Sequence, residues 1–154
     1  MSENNELVAP GAERGYDKRA SLGQWGEDIA AVRLEELGYR IVGRRVRLRR
    51  DEIDLIAVPT SDRVPQIVFV EVKTRSSDDF GGPIAAVDRR KRHALCRAAA
   101  RYLRLLPDGP RPFRFDIVEV IGRPESSHPP TVRHTTNAFP MERRYVVDWL
   151  GKKR

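Results

Sequence analysis

The spacing of apolar positions divides the chain into two helical stretches and a series of strands. From Ser21, a candidate helix cap, apolar residues recur at Leu22, Trp25, Ile29 and Val32, with Leu37 near one edge. That period predicts a helix ending at Gly38, where glycine commonly stops a helix. Gly23 and Gly26 inside it cost roughly 1 kcal/mol each, which tertiary packing must offset. Tyr39 to Val42 predicts a short strand, and beyond it Val46 and Leu48 alternate with arginines, as in a strand with one cationic face. Ile53 to Val58 predicts a further strand, residues 59–65 a turn or hairpin loop, and Gln66 to Lys73 (QIVFVEVK) the strongest strand of all. Short connections among these strands predict an antiparallel meander. Residues 75–83 carry two glycines and two aspartates and read as a loop. Asp88 then caps a helix reaching Leu106, with Ala94, Leu95, Ala98, Ala99, Tyr102 and Leu106 on its core side. Phe113 to Ile121 is another strand, 122–131 a Pro- and Ser-rich loop, and Arg133 to Leu150 fits one strand and a short helix. The order α-β-β-β-α-β predicts one α/β domain over 21–154, preceded by a flexible tail at 1–20.

Composition narrows the function classes. The chain has 154 residues, enough for one domain with a substantial core. Its single cysteine, Cys96, excludes an internal disulfide, a cysteine zinc cluster and a CxxC redox motif. Cys96 itself reads as an inert core thiol. His93, His128 and His134 lack the spacing of a zinc site. No apolar run approaches the roughly 18 residues of a membrane span, and residues 1–20 have no apolar signal core, so a cytoplasmic, reducing setting with no membrane partner is expected.

The net charge is +7, and 24 of the 29 basic residues are arginine. A field of this sign draws phosphate-rich partners. The charge is also concentrated. Arg40, Arg44, Arg45, Arg47, Arg49 and Arg50 fall in a stretch without an acid, and Arg89, Arg90, Lys91, Arg92, Arg97, Arg101 and Arg104 lie along the second helix. Such grouping suits backbone contact without base reading. A solvated arginine-rich face is the competing reading for any single residue. Arg75, two positions beyond Lys73, stands nearest the chemistry described next.

In the strand 67–73, Ile67, Phe69, Glu71 and Lys73 share one face, and Val68, Val70 and Val72 share the other. A carboxylate at the end of an apolar strand is costly unless paired or solvated. Asp54 sits between Ile53 and Leu55, again a charge inside an apolar run. If the two strands pair as a hairpin, Asp54 and Glu71 lie side by side. Adjacent carboxylates repel unless a cation or a proton separates them. Mg²⁺ held by two carboxylates and substrate phosphates is one solution, with Lys73 placed to orient or deprotonate water and to offset phosphoryl charge. A solvated Glu71–Lys73 pair with Asp54 bonded to backbone is the other.

Asp54 followed by Glu71-Val72-Lys73 resembles the D…(D/E)xK signature of the restriction-endonuclease-like PD-(D/E)XK superfamily. LGQWGEDIAAVRLEELGY at 22–39, DEIDLIA at 51–57, VFVEVKTRSS at 68–77, AVDRRKRHALCRAAARYL at 86–103, RFDIVEV at 114–120 and NAF at 137–139 resemble the bacterial UPF0102 (YraN) family. The resemblance spans about residues 21–140. It implies a restriction-endonuclease-like αβββαβ core with a mixed central sheet, and kinship to Holliday junction resolvases. It further implies that Glu27, Asp54 and Glu71 hold Mg²⁺, or Mn²⁺ in its place, and that Lys73 is the catalytic lysine. Bottom-up support for Glu27 is thinner: it borders Gly23, Ala30, Ala31 and Leu34, a small-residue side open to close approach, and a surface glutamate is the alternative. Asp51 stands where the family usually has glycine, which would alter the turn or add a carboxylate near the site.

These readings together point to a metal-dependent endonuclease acting on structured or branched DNA, with RNA left open. Arg44, Arg45, Arg47, Arg75, Arg89, Arg90, Lys91 and Arg92 are the expected phosphate contacts. Symmetric junction cleavage would favour a homodimer. The alternatives are a non-catalytic nucleic-acid-binding protein on the same fold and a protein-interaction factor whose basic patch meets an acidic partner.

Overall fold

In a computed structural model, the structure describes residues 18–61, 63, 65–77, 87–108 and 111–150. The first helix, α1 (Lys18–Glu36), is followed by the strands β1 (Tyr39–Leu48), β2 (Asp51–Pro59) and β3 (Ile67–Arg75). After these come the helix α2 (Arg89–Arg104), the strands β4 (Phe113–Ile121) and β5 (Thr131–Phe139), and the helix α3 (Arg143–Leu150). The strands form one sheet in the order β1-β2-β3-β4-β5. β3 and β4 run parallel through the α2 crossover, and the other neighbours are antiparallel. This is an α/β fold with a mixed central sheet flanked by helices, consistent with a restriction-endonuclease-like core. Among the described residues no helix is long and apolar enough to cross a membrane.

Strand alternation feeds two cores. Ile67, Phe69, Phe115 and Ile117 face α2, where Leu95, Ala98, Ala99 and Leu103 meet them. The Phe69 ring lies edge-on to Tyr102 at 5.7 Å. Val68, Val70, Val118 and Val120 face Ala30, Ala31 and Leu34 of α1. Because both sides are covered, β3 reads as a continuous apolar run rather than an alternating one.

Three sequence expectations change. The first helix begins at Lys18, so Ser21 lies inside it and is not its cap, and 18–20 are helical rather than tail. The expected tail otherwise falls on 1–17, outside the described residues, as does most of the 75–83 loop. Second, Val32 and Leu37 are about half exposed and leave the buried stripe to Ala30, Ala31 and Leu34, with Trp25 and Ile29 partly buried beside them. The reason is proximity. A Cβ built on Gly26 would lie 1.9 Å from Thr74 Oγ1, so α1 rides directly on β3 at that point, where no side chain fits between them. Third, the two short strands around Gly43 are one strand, whose register against β2 shifts by one residue at an irregularity between Ile41 and Gly43.

The second helix starts where the sequence predicts: Asp88 is the N-cap and accepts from the Lys91 amide at 2.8 Å. Cys96 is fully buried, and burial pushes its thiol up to about 11, which keeps it a neutral core residue.

Candidate functional site

The paired ladder of β2 and β3 runs through Ala57↔Val68, Ile56↔Phe69 and Leu55↔Val70. The next partners in this register would be Asp54 and Glu71. There the two strands part, and Asp54 Oδ2 accepts from the Val72 amide at 2.8 Å instead. Ile53 and Ile56 both join the α2-side core although three residues apart. Strand alternation therefore breaks around Asp54, and the break turns its carboxylate into the opening between the strands.

Glu71 is 3% exposed. Its Oε1 lies 3.3 Å from Lys73 Nζ and its Oε2 lies 3.5 Å from Lys91 Nζ. The Lys91 contact is an ion pair without hydrogen-bond geometry, since Oε2 is buried with no hydrogen-bond partner among the described residues. Burial first, then the charge of Glu71, raises the Asp54 carboxyl from 3.8 to about 7; the Val72 amide and the Lys91 charge act the other way. Near neutrality the Asp54 carboxyl is thus poised between its protonated and charged forms.

Glu27 projects from α1 toward the same region. Burial raises its carboxyl above the ordinary range and the Asp54 charge adds to that, while its bond with Arg45 opposes both. Arg45 Nε donates to Glu27 Oε2 at 2.7 Å. Among the described residues, no three acidic, histidine or cysteine side chains come close enough together to hold a metal. Asp54 and Glu71 are brought together; Glu27 is engaged by Arg45.

The arginines expected to meet phosphate occupy varied positions. Arg45 has a left-handed φ of 46°, which costs a non-glycine residue about 1 kcal/mol. This conformation lets two consecutive side chains reach one helix, Arg44 meeting Asp28 at 3.0 Å and Arg45 meeting Glu27. Arg47 pairs with Glu52 at 3.2 Å and is mostly solvated. Arg75 lies 3.6 Å from Glu119 on β4. Arg92 donates to the Val87 carbonyl and sits over the Phe139 ring at 5.9 Å. Arg89 and Arg90 are exposed and make no ion pair among the described residues. At the start of α2 the Asp88 carboxylate already takes the Lys91 amide.

Two features escaped the sequence reading. Lys91 enters the carboxylate site, a placement that its spacing of 20 residues from Glu71 could not signal. Asp51 is buried and bound to Arg97 and Arg101 of α2. Asp51 therefore ties β2 to α2 and does not join the Asp54–Glu71 pair.

Residues 26–120 match the family model described as "Uncharacterised protein family UPF0102". Similar chains include UPF0102 proteins of Symbiobacterium thermophilum, 46% identical over 104 residues covering 68% of this chain and 85% of the relative. A second, of Chlorobium phaeobacteroides, is 41% identical over 121 residues, 77% of this chain and 93% of the relative. A third, of Nitratidesulfovibrio vulgaris, is 42% identical over 123 residues, 80% and 87%.

Proposed function

The chain belongs to the UPF0102 family, and from that premise we propose that it is a divalent-metal-dependent phosphodiester hydrolase acting on structured or branched DNA. The carrying observation is the Asp54–Glu71 pair: one carboxyl held near neutral pKa beside another whose Oε2 is buried without a hydrogen bond. A proton and two ammonium groups now balance that charge, and a hard divalent cation would replace them with oxygen ligation. The donor set therefore fits Mg²⁺ or Mn²⁺, with Asp54 and Glu71 as ligands. Glu27 would join them if Arg45 released it. Such an ion supplies Lewis acidity at a phosphoryl oxygen and lowers the pKa of bound water.

The remaining roles fall to this chain's own side chains. Lys73, on the same strand face as Glu71, orients the attacking water and offsets charge gathering on the phosphoryl oxygens. Lys91 leaves Glu71 and meets a phosphate of the bound strand. Arg89 and Arg90, exposed on the first turn of α2, hold the backbone nearby. Departure of Lys91 would uncover Glu71, which is 3% exposed with that ammonium in place, to the reacting phosphate.

A second reading has its own support. Arg45 occupies Glu27, and both lysines neutralise Glu71, an arrangement equally suited to a nucleic-acid-binding protein that retains the fold without hydrolysis. A panel of labelled linear, nicked, flapped and four-way DNA and RNA substrates with Mg²⁺ or Mn²⁺ separates the two. Cleavage by the wild type that disappears in Asp54→Ala and Lys73→Ala, with binding retained in both, supports the hydrolase. Binding without cleavage of any substrate in either metal favours the second reading.

A further inference from the structure

A buried aspartate organises a row of arginines along α2. Asp51 is 6% exposed and accepts from Arg97 Nε at 2.8 Å and Nη2 at 2.7 Å, and from Arg101 Nη1 at 2.9 Å. The two-pronged bond fixes the plane of the Arg97 guanidinium. Asp51 takes two of its five N–H donors, and those of Arg101 that meet Asp51 and the Leu48 carbonyl both come from Nη1. The arginines thus keep donors for a ligand while their orientation is already set, which spares the ordering cost of binding.

These groups line two adjoining depressions. One of about 680 Å³ is bounded by Arg50, Arg89, Arg90, His93 and Arg97, with Asp51 in its floor. The other, about 710 Å³, shares Arg97 and adds Arg47, Arg49, Arg101 and Arg104. A third, about 330 Å³, contains Lys73 and Lys91 and shares Arg90 and Ala94 with the first. His93 is held through Nδ1 by Glu142 at 2.8 Å, so one wall of the first depression is rigid as well. Together they form a basic groove from Lys73 along α2 to Arg104. From Lys91 to Arg104 the helix rises about 20 Å, roughly the axial rise of six nucleotides of one duplex strand.

We propose that this groove seats the phosphodiester backbone of the nucleic-acid strand flanking the reacting phosphate, with Arg97, fixed by Asp51, as its central phosphate ligand. The assignment rests on the nucleic-acid reading above. Its continuity with the Lys73–Lys91 depression favours phosphate over the carboxylates of an acidic protein; the oriented guanidinium forks suit either oxyanion. Asp51 here acts on the partner through Arg97 and Arg101 and never touches it.

Fluorescence anisotropy with a labelled DNA duplex in EDTA measures binding where no cleavage can occur. Arg90→Gln is the principal variant because Arg90 is exposed and makes no ion pair among the described residues. Arg97→Gln is the second, and Arg123→Gln, exposed in the β4–β5 loop, is the charge-matched control. Arg90→Gln and Arg97→Gln should each weaken binding about 5- to 10-fold and lower the slope of log K against log salt by about 1. Arg123→Gln should stay within about twofold of wild type. The inference is overturned if Arg90→Gln or Arg97→Gln binds with wild-type affinity and slope, if Arg123→Gln weakens binding as much, if polyglutamate of equal charge competes as well as DNA, or if the wild type binds no DNA. A parallel Mg²⁺ cleavage assay keeps the claims separable: absent cleavage with an intact Arg90 effect refutes the hydrolase alone, and cleavage with no Arg90 effect refutes the groove alone.

Discussion

Replacing Asp54 with asparagine tests whether burial, and then the charge of Glu71, raises its carboxyl as the geometry requires. The carboxamide would keep an oxygen for the Val72 amide, so Asp54→Asn removes the charge and leaves the local bond in place. A carboxyl raised from 3.8 to about 7 in the folded protein makes the native state hold a proton that the unfolded chain has lost. Below pH 3.8 both states are protonated and Asp54 contributes nothing to the pH dependence. As pH rises from about 4 to 7 stability is lost, and above 7 the folded state carries the full penalty. That penalty is at most about 4 kcal/mol, at 1.36 kcal/mol per pH unit, and about 1.6 kcal/mol is already lost at pH 5. The stability difference between Asp54→Asn and wild type should therefore shift in the variant's favour by roughly 2–3 kcal/mol between pH 5 and pH 8. For a protein of this size that is about 5–10 °C in Tm. Urea unfolding in EDTA at both pH values measures it directly, and saturating Mg²⁺ at pH 8 should restore much of the wild-type deficit. A difference between variant and wild type that does not change with pH would refute the coupling of Asp54 to Glu71.

Other parts of the fold carry their own tests. Gly26→Ala should destabilise by about 1–3 kcal/mol, because the new methyl meets Thr74, and Gly26→Ala/Thr74→Ala should recover part of that in a thermal double-mutant cycle; additive losses would contradict the close approach. Asp51→Ala should cost about 2 kcal/mol in urea unfolding, less than a fully buried pair because Arg97 and Arg101 keep about a quarter of their surface; a neutral result would mean that the arginines need no anchor. Asp116 is fully buried and bonded to His134, Arg114 and the Asn137 amide, and despite its burial these bonds hold its carboxyl below the ordinary range. Its stabilisation is therefore present above its unfolded pKa and lost as pH falls through its lower folded value. Asp116→Asn should flatten the acid limb of stability below about pH 4, and an unchanged limb would refute that role.

The legible parts of the fold are those whose pattern has a local cause. Asp88 with the Leu95, Ala98 and Ala99 stripe marks α2, and the β-branched density of QIVFVEVK marks β3. The first helix is half legible. Its buried side is made of Gly26, Ala30, Ala31 and Leu34, and the small size that admits Thr74 and the sheet also makes that side weak in hydrophobic contrast. Residues 18–20 carry no apolar period, which hides the helix start. The pairing of Asp54 with Glu71 is legible from strand parity, but the break at Asp54 is not, since it depends on where two strands stop bonding. Arg45 cannot be read as a partner of Glu27, because its left-handed φ reverses the face that alternation assigns. The role of Asp51 depends on two arginines 46 and 50 residues downstream, a tertiary contact without a local signature.

Whether the Asp54–Glu71 pair is a divalent-cation site decides between the hydrolase and every alternative to it. Titration of the protein with Mn²⁺, followed by the loss of free-ion electron paramagnetic resonance signal across neutral pH, tests it most directly. One site per chain, tightening as pH rises through about 7 and lost in both Asp54→Asn and Glu71→Gln, is the result predicted. Mn²⁺ binding of the same stoichiometry and affinity in wild type and both variants, or none in the wild type at a pH above that value, would contradict it.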